Sequence, residues 1–216
     1  MTVTLLHHTP LHIASTAIRK CWDSSDKSDT CNTNDNIGPA DRDLIYRVGN
    51  KNKHASTLEH ITYNFDIDGI SRASLQELAR HRHANLSVKS SRYTLKELKN
   101  APDMWFDAPK DCDWETGAKF LVKTGNDSID SHNILTLGIL QRHLKTSNDI
   151  SKYMLPEAYK TSLVWTINAR SLQNFLALRT SKAALWEIRN LAYAIYDHLP
   201  EQHKYLFTEF VNKELS

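Results

Sequence analysis

The chain has 216 residues, 40% of them hydrophobic and 24% charged, with a formal net charge of +2. That is enough for one compact domain, or at most two small ones, of ordinary soluble composition. So mild a positive excess excludes a general nucleic-acid coat protein and leaves room for a local anion site.

In chain order, residues 10–22 carry a helical pattern with Pro10 near the first turn. Residues 23–36 (DSSDKSDTCNTNDN) hold no aliphatic or aromatic side chain and read as a long loop between two helices. A second helix is expected over 39–48, with Leu44, Ile45 and Val48 on one side. Ile61, Tyr63, Phe65 and Ile67 alternate with polar partners, which predicts a half-buried strand that Gly69 ends. Ser71 then caps a helix over 71–82 whose stripe is Leu75, Leu78 and Ala79. A polar, basic segment runs on to Tyr93, followed by a short strand at 120–122 and a helix at 129–144. The last third is clearer: a buried strand at 162–167 (SLVWTI), a helix at 171–179, an amphipathic helix at 185–199 and another helix from Glu201. The local pattern gives a mixed α/β domain and leaves the strand order open.

Apolar runs are short and interrupted, so none spans a bilayer. The opening MTVTLLHHTPLH lacks the basic start and long apolar stretch of a signal peptide, which points to a cytoplasmic protein. Cys21, Cys31 and Cys112 are odd in number and widely spaced, the pattern of neither a disulfide frame nor a zinc site. The eleven histidines match no familiar ligand spacing, so no metal is expected.

Three constellations carry chemistry. The first is Arg80-His81-Arg82 with Ser87, Lys89, Ser90, Ser91, Arg92 and Tyr93, in a stretch (72–99) with seven Lys/Arg and two Glu. Arginine forks and hydroxyls at a helix end suit multidentate capture of a phosphate; a solvated basic face is the alternative. The second is Asn168-Ala169-Arg170 at a strand-to-helix junction, with Asn174 and Arg179 beyond. Arg170 and Asn174 share one helix face, whereas Arg179 falls among Leu172, Phe175 and Leu176. A cation on an apolar stripe either meets an anion or a strong acceptor, or ends the helix and extends to water. The third, residues 54–60 (HASTLEH), is a ligand-lining segment or a capped turn.

Taken together these segments resemble the flavin-dependent thymidylate synthase family. Its signature of Arg-His-Arg, seven residues, then Ser is met by Arg80-His81-Arg82, HANLSVK and Ser90, and Arg92-Tyr93 continues it. The resemblance also takes in residues 41–45 (DRDLI), 54–60, 165–172 (WTINARSL), Asn174, 175–179 (FLALR) and 186–188 (WEI), in family order. It implies a single α+β domain over 1–216, with a twisted, mostly antiparallel sheet flanked by helices. The implied assembly is a homotetramer with active sites shared between subunits and no nucleic-acid partner. The implied activity is reductive methylation of dUMP to dTMP, with non-covalent FAD, methylenetetrahydrofolate as one-carbon donor and NADPH as reductant, and without a cysteine nucleophile.

By the same resemblance Ser56, Arg80, His81, Arg82, Asn168, Arg170 and Asn174 contact FAD. Glu77, Arg80, Val88, Lys89, Ser90, Ser91, Arg92, Lys152 and Arg179 surround dUMP, and Arg179 is the catalytic cation thought to favour ionisation of the uracil N3. Three positions depart from the commoner pattern: Glu77 stands where many members have Gln, Lys152 where an arginine is usual, and Val88 where a polar residue is usual. Glu77 is expected to pair with Arg80 or His81 one turn on. Two other function classes stay open at this point, a non-enzymatic nucleotide- or RNA-binding protein and another NADPH-oxidising flavoprotein.

Overall fold

Alternation over residues 61–67 builds strand β2 (Thr62–Ser71): Tyr63, Phe65 and Ile67 are fully buried, while the residues between them are half-exposed. The structure, a computed structural model, describes residues 1–30, 37–144 and 147–212. Among these, β1 (Thr2–His8), β2, β3 (Ala84–Val88) and β4 (Lys160–Asn168) form one antiparallel sheet in the order β1-β2-β4-β3. Its register is tied by the Thr9 N–H to Thr62 O bond at 2.9 Å and the Ala169 N–H to Ile61 O bond at 2.8 Å. The helices are α1 (His12–Cys21), α2 (Pro39–Tyr46), α3 (Arg72–Ala79), α4 (Ser91–Lys99), α5 (Trp114–Gly117), α6 (Asp127–His143), α7 (Asn148–Ser151), α8 (Ala169–Arg179) and α9 (Trp186–Asp197). The class expected from sequence, helices with an antiparallel sheet, is the one observed.

The trace divides into two compact units. The first comprises Met1–Thr2, Ile67–Arg80 and Ser87–Leu163. Its core gathers Leu95 and Leu98 of α4, Ile134, Leu137 and Leu140 of α6, and Met104, Phe120, Leu121 and Tyr159. In it α6 comes so close to the chain at Met104 that a Cβ on Gly138 would lie 2.3 Å from the Met104 carbonyl oxygen. The second unit comprises Val3–Asp66, His81–Leu86 and Val164–Ser216. Its core is aromatic: Trp165 meets Phe175 edge-on with centroids 5.0 Å apart, and Tyr63 stacks on Phe65 at 6.2 Å.

Several expectations are corrected. Gly69 does not end β2; its φ of 76°, which glycine takes without strain, is accommodated inside the strand. The helix expected over 71–82 stops at Ala79, which is exposed; of the expected stripe Leu78 is buried and Leu75 is half-buried. The basic segment holds β3 and the start of α4, and residues 120–122 make one isolated bridge, Leu121 to Tyr159, in place of a strand. The helix over 39–48 gives way at Arg47 to a π turn, and the one from Glu201 is a 3₁₀ turn. The strand at 162–167 alternates rather than being buried throughout, with Val164 exposed. β1 was not expected. The expected 23–36 loop contains a 3₁₀ turn at Ser25–Lys27, and its residues 31–36 lie outside the described residues.

A buried ion pair anchors α2 to α1. Asp41 is fully buried and takes Arg19 Nε on Oδ1, with the Ser28 hydroxyl at 2.6 Å and the Thr30 hydroxyl on its other oxygen. Burial raises the Asp41 pKa, but the hydrogen bonds from Ser28, Thr30 and Arg19 outweigh it and leave the carboxyl below its usual value. Asp41→Ala leaves a buried arginine uncompensated and should destabilise the fold by about 3–5 kcal/mol. Urea unfolding at pH 7 measures this; an unchanged midpoint would show that the pair contributes nothing.

His203 is the second buried ionisable group of note. Its Nδ1 lies 2.8 Å from the Tyr63 hydroxyl and its ring is edge-on to His8 at 4.8 Å. Burial first, and His8 second, hold its pKa down to about 3 against the usual 6.5. The unfolded chain therefore binds the extra proton more readily. The stability from this site is complete above pH 6.5 and drains as pH falls toward 3. Replacing His203 with Gln should flatten the loss of stability between pH 6.5 and 4.5; an unaltered slope in thermal melts would remove His203 as its source.

Candidate functional site

The Arg-His-Arg segment follows a short capped helix. The Ser71 hydroxyl, at the last residue of β2, accepts the Ser74 N–H at 3.0 Å and starts α3. Arg80 is the C-cap of α3, so the cations sit at a helix C-terminus, where the backbone dipole favours positive charge. Arg80 Nη1 lies 3.4 Å from Glu77 Oε1, the pairing expected for this glutamate, and the Arg80 side chain is 71% exposed. Arg82 is exposed, whereas His81 is only 8% exposed, edge-on to Phe175 with ring centroids 5.0 Å apart.

Val88, Lys89, Ser90, Ser91 and Arg92 link β3 to α4. The Ser90 hydroxyl faces the Arg92 N–H at 3.4 Å and marks the N-cap of α4, so Ser91 and Arg92 form the first helical turn. That turn offers outward-pointing N–H groups, a ready place for an anion. Lys89 Nζ lies 2.8 Å from Glu97 and lines a cavity with Thr94, Lys119, Tyr159 and Lys160; Arg92 Nε lies 2.8 Å from Asp149. Val88 is exposed and gives a ligand only backbone and methyl contact. Lys152, in the 3₁₀ turn after α7, is exposed, with its ammonium 5.9 Å from the centre of the Tyr153 ring.

Helix α8 carries the third set. The Asn168 side chain accepts the Ser171 N–H at 2.8 Å, which makes this expected ligand residue also the cap that begins the helix. Arg170 and Asn174 are exposed along one face, and Arg170 Nη1 lies 2.6 Å from Glu59 Oε1. Glu59 belongs to the 3₁₀ turn Ala55–His60 that also carries the exposed Ser56. Glu59 was visible in the sequence as part of HASTLEH, but its tie to Arg170, 111 residues away, was not. Arg179 does not simply extend to water. It is half-buried and its Nε lies 3.0 Å from His81 Nε2, a contact across 98 residues that no local pattern announces.

The expected residues thus distribute between the two units. Ser56, His81, Arg82, Asn168, Arg170, Asn174 and Arg179 belong to the second; Glu77, Arg80, Val88, Lys89, Ser90, Ser91, Arg92 and Lys152 to the first. The guanidiniums of Arg82 and Arg170, the amides of Asn168 and Asn174, the Ser56 hydroxyl and the N-terminus of an 11-residue helix are the donors a pyrophosphate-bearing cofactor needs, so the second set fits such a group chemically. Among the described residues no group of three or more His, Cys, Asp or Glu is placed to hold a metal ion, and no helix is long and apolar enough to cross a membrane. Burial first, then Asp111, pushes the half-buried Cys112 thiol up, away from a reactive thiolate.

The family model described as thymidylate synthase complementing protein matches residues 4–203. The chain belongs to this family. The flavin-dependent thymidylate synthase of Wolinella succinogenes is 57% identical over 209 residues, covering 96% of this chain and 97% of its own. That of Campylobacter jejuni is 54% identical over 217 residues and matches the full length of both chains. A crystal structure of thymidylate synthase X from Helicobacter pylori with FAD and dUMP aligns with a TM-score of 0.88 at 47% identity, covering 99% of this chain and 100% of that one. The family match contains all three constellations described above.

The capping role of Asn168 is testable without ligand. Asn168→Ala should lower the stability of the ligand-free protein by about 1 kcal/mol through loss of the cap, and Asn168→Asp should restore most of it. Urea unfolding reads both; equal midpoints for the parent and the Ala variant would mean that the cap contributes nothing.

Proposed function

We propose that this chain is a flavin-dependent thymidylate synthase that converts dUMP to dTMP, with methylenetetrahydrofolate as one-carbon donor and NADPH as reductant. The observation that carries this reading is end-to-end identity of 54–57% with relatives of that name, over a chain that keeps the Arg80-His81-Arg82…Ser90 spacing. When bound, non-covalent FAD supplies the redox chemistry by relaying hydride from the nicotinamide.

The chain's own residues bind, orient and balance charge. Ser56, Arg80, His81, Arg82, Asn168, Arg170 and Asn174 are the proposed holders of FAD. Its pyrophosphate is suited to guanidinium and helix N-terminal N–H donors such as those of α8. For dUMP, the first turn of α4 (Ser91, Arg92) with Ser90, Lys89, Arg80 and Lys152 is the proposed phosphate cradle, with Glu77 and Val88 at its edge. Lys152 gives the phosphate a point charge where an arginine would give a fork. Arg179 is the proposed catalytic residue. A cation beside the pyrimidine stabilises negative charge as the uracil N3 loses its proton, which raises electron density at the carbon to be methylated. No cysteine is needed for this, and Cys21 and Cys112 lie in none of the matched motifs.

A homotetramer with sites shared between subunits, no nucleic-acid partner, a cytoplasmic location and one functional domain over 1–216 complete the proposal. The single-domain part is supported by a family match over residues 4–203 and by relatives that align along their whole length.

The test is a visible absorption spectrum of the purified protein, followed by dUMP titration and an assay for dTMP. A flavin spectrum that shifts with dUMP, and dTMP formed only with folate and NADPH present, is the expected result. A colourless protein that takes up no added FAD would overturn the reading. Arg179→Ala should retain FAD and lose roughly 100-fold or more in dTMP formation, the scale of removing one transition-state donor; normal turnover would take Arg179 out of the mechanism.

A further inference from the structure

The contact between His81 and Arg179 has a definite polarity. Arg179 Nε lies 3.0 Å from His81 Nε2. A guanidinium carries only N–H donors and stays protonated in proteins, so the histidine nitrogen is the acceptor. The ring therefore keeps its lone pair on Nε2 and its proton on Nδ1.

That acceptor is held firmly. His81 is 8% exposed and meets Phe175 at an interplanar angle of 77°; Phe175 is fully buried and meets Trp165 edge-on. Phe175 and Arg179 are four apart on α8, so the helix presents the ring that supports His81 and the side chain that His81 receives on one face. The end of α8 is fixed as well: the Thr180 hydroxyl donates to Leu176 O at 2.6 Å and accepts the Asn212 N–H at 2.9 Å.

We infer that His81 is a positioning residue: its ring sets the plane and direction of the Arg179 guanidinium toward the pyrimidine. This rests on the function proposed above and adds to it, since the family resemblance casts His81 only as a flavin contact. A guanidinium is a rigid planar fork, so holding its Nε–H fixes where the other four N–H groups point. A charge aimed wrongly by about 1 Å can cost on the order of 100-fold in rate.

Three His81 variants and an NMR measurement test this. His81→Phe keeps the ring on Phe175 and removes the acceptor. His81→Gln carries an amide oxygen out to about the Nε2 position; His81→Asn is polar but ends short of it. Assayed with FAD at saturation, the Phe and Asn variants should lose on the order of 100-fold in kcat, with kcat/KM for dUMP falling in parallel, whereas Gln recovers most of the loss. Combining His81→Phe with Arg179→Ala should be no slower than Arg179→Ala alone, because both remove one interaction. Gln as slow as Asn, losses that multiply, or a Phe variant at the parent rate would each overturn the inference; should the Phe variant fail to fold, the Gln–Asn contrast decides. In the ligand-free parent, ¹⁵N shifts should show His81 protonated on Nδ1, and the Nε2–H form would overturn the contact outright. A parent protein that makes no dTMP sinks the proposed function instead, and the NMR result still judges the contact by itself.

Discussion

Each of the two central strands passes without a loop into a helix that carries candidate site residues, and in each case the last strand residue is the helix cap. Ser71 closes β2 and accepts the Ser74 N–H at 3.0 Å; Asn168 closes β4 and accepts the Ser171 N–H at 2.8 Å. A strand buried on one face cannot slip by one residue without turning its apolar side chains to water. The register of each strand thereby sets the starting point of the helix that follows it, α3 after β2 and α8 after β4. The position of Arg80 at the end of α3, and of Arg170, Asn174 and Arg179 along α8, follows from strand pairing plus helical period.

The two units are packed differently. In the first, close packing of α4 and α6 around Leu95, Leu98, Ile134 and Leu137 holds the N-terminus of α4, and so the Ser90 cap, in place. The second unit has an aromatic core whose outermost member is a histidine. Trp165, Phe175 and His81 meet edge to face in sequence, and the polar tip of the last ring receives a guanidinium. Aromatic rings lose little rotamer freedom on burial, so the series sets an aim with few soft torsions. The buried Arg19–Asp41 pair is satisfied in the same manner, its carboxylate also taking the hydroxyls of Ser28 and Thr30.

How much of this could be read in the sequence depended on how local the cause was. The alternation of Tyr63, Phe65 and Ile67 and the amphipathic run of α9 have periods of two and 3.6 residues, and both elements are where those periods put them. β1 was missed because TVTLLHH alternates poorly and its pairing with β2 is supplied from 53 or more residues away. α4 was missed because its basic residues drew attention to charge; Ser90 ahead of Leu95 and Leu98 was the cap signal that would have found it. Gly69 misled because a glycine at positive φ more often marks a turn than a place inside a strand. The candidate site was legible as residue types at fixed spacing, Arg-His-Arg and Ser above all. Its pairings were not, since His81 with Arg179 and Glu59 with Arg170 join residues about a hundred apart.

The charged residues of the two proposed ligand sets share one further property. Arg80 faces Glu77, Lys89 faces Glu97, Arg92 faces Asp149 and Arg170 faces Glu59, and in each pair the side chains are well exposed or partly so. Exposed pairs of this kind contribute only about 0–1 kcal/mol, because water screens them and two long side chains lose freedom. A phosphate makes shorter, charge-assisted and often bidentate bonds to the same cations. Exchanging a carboxylate for a phosphate therefore costs little. These carboxylates also count against the chain's basic residues, and its formal net charge is only +2. Glu77, the departure from the commoner family pattern, fits this scheme: at the edge of the proposed phosphate site it is the partner of Arg80, 3.4 Å away, that a phosphate would exchange for.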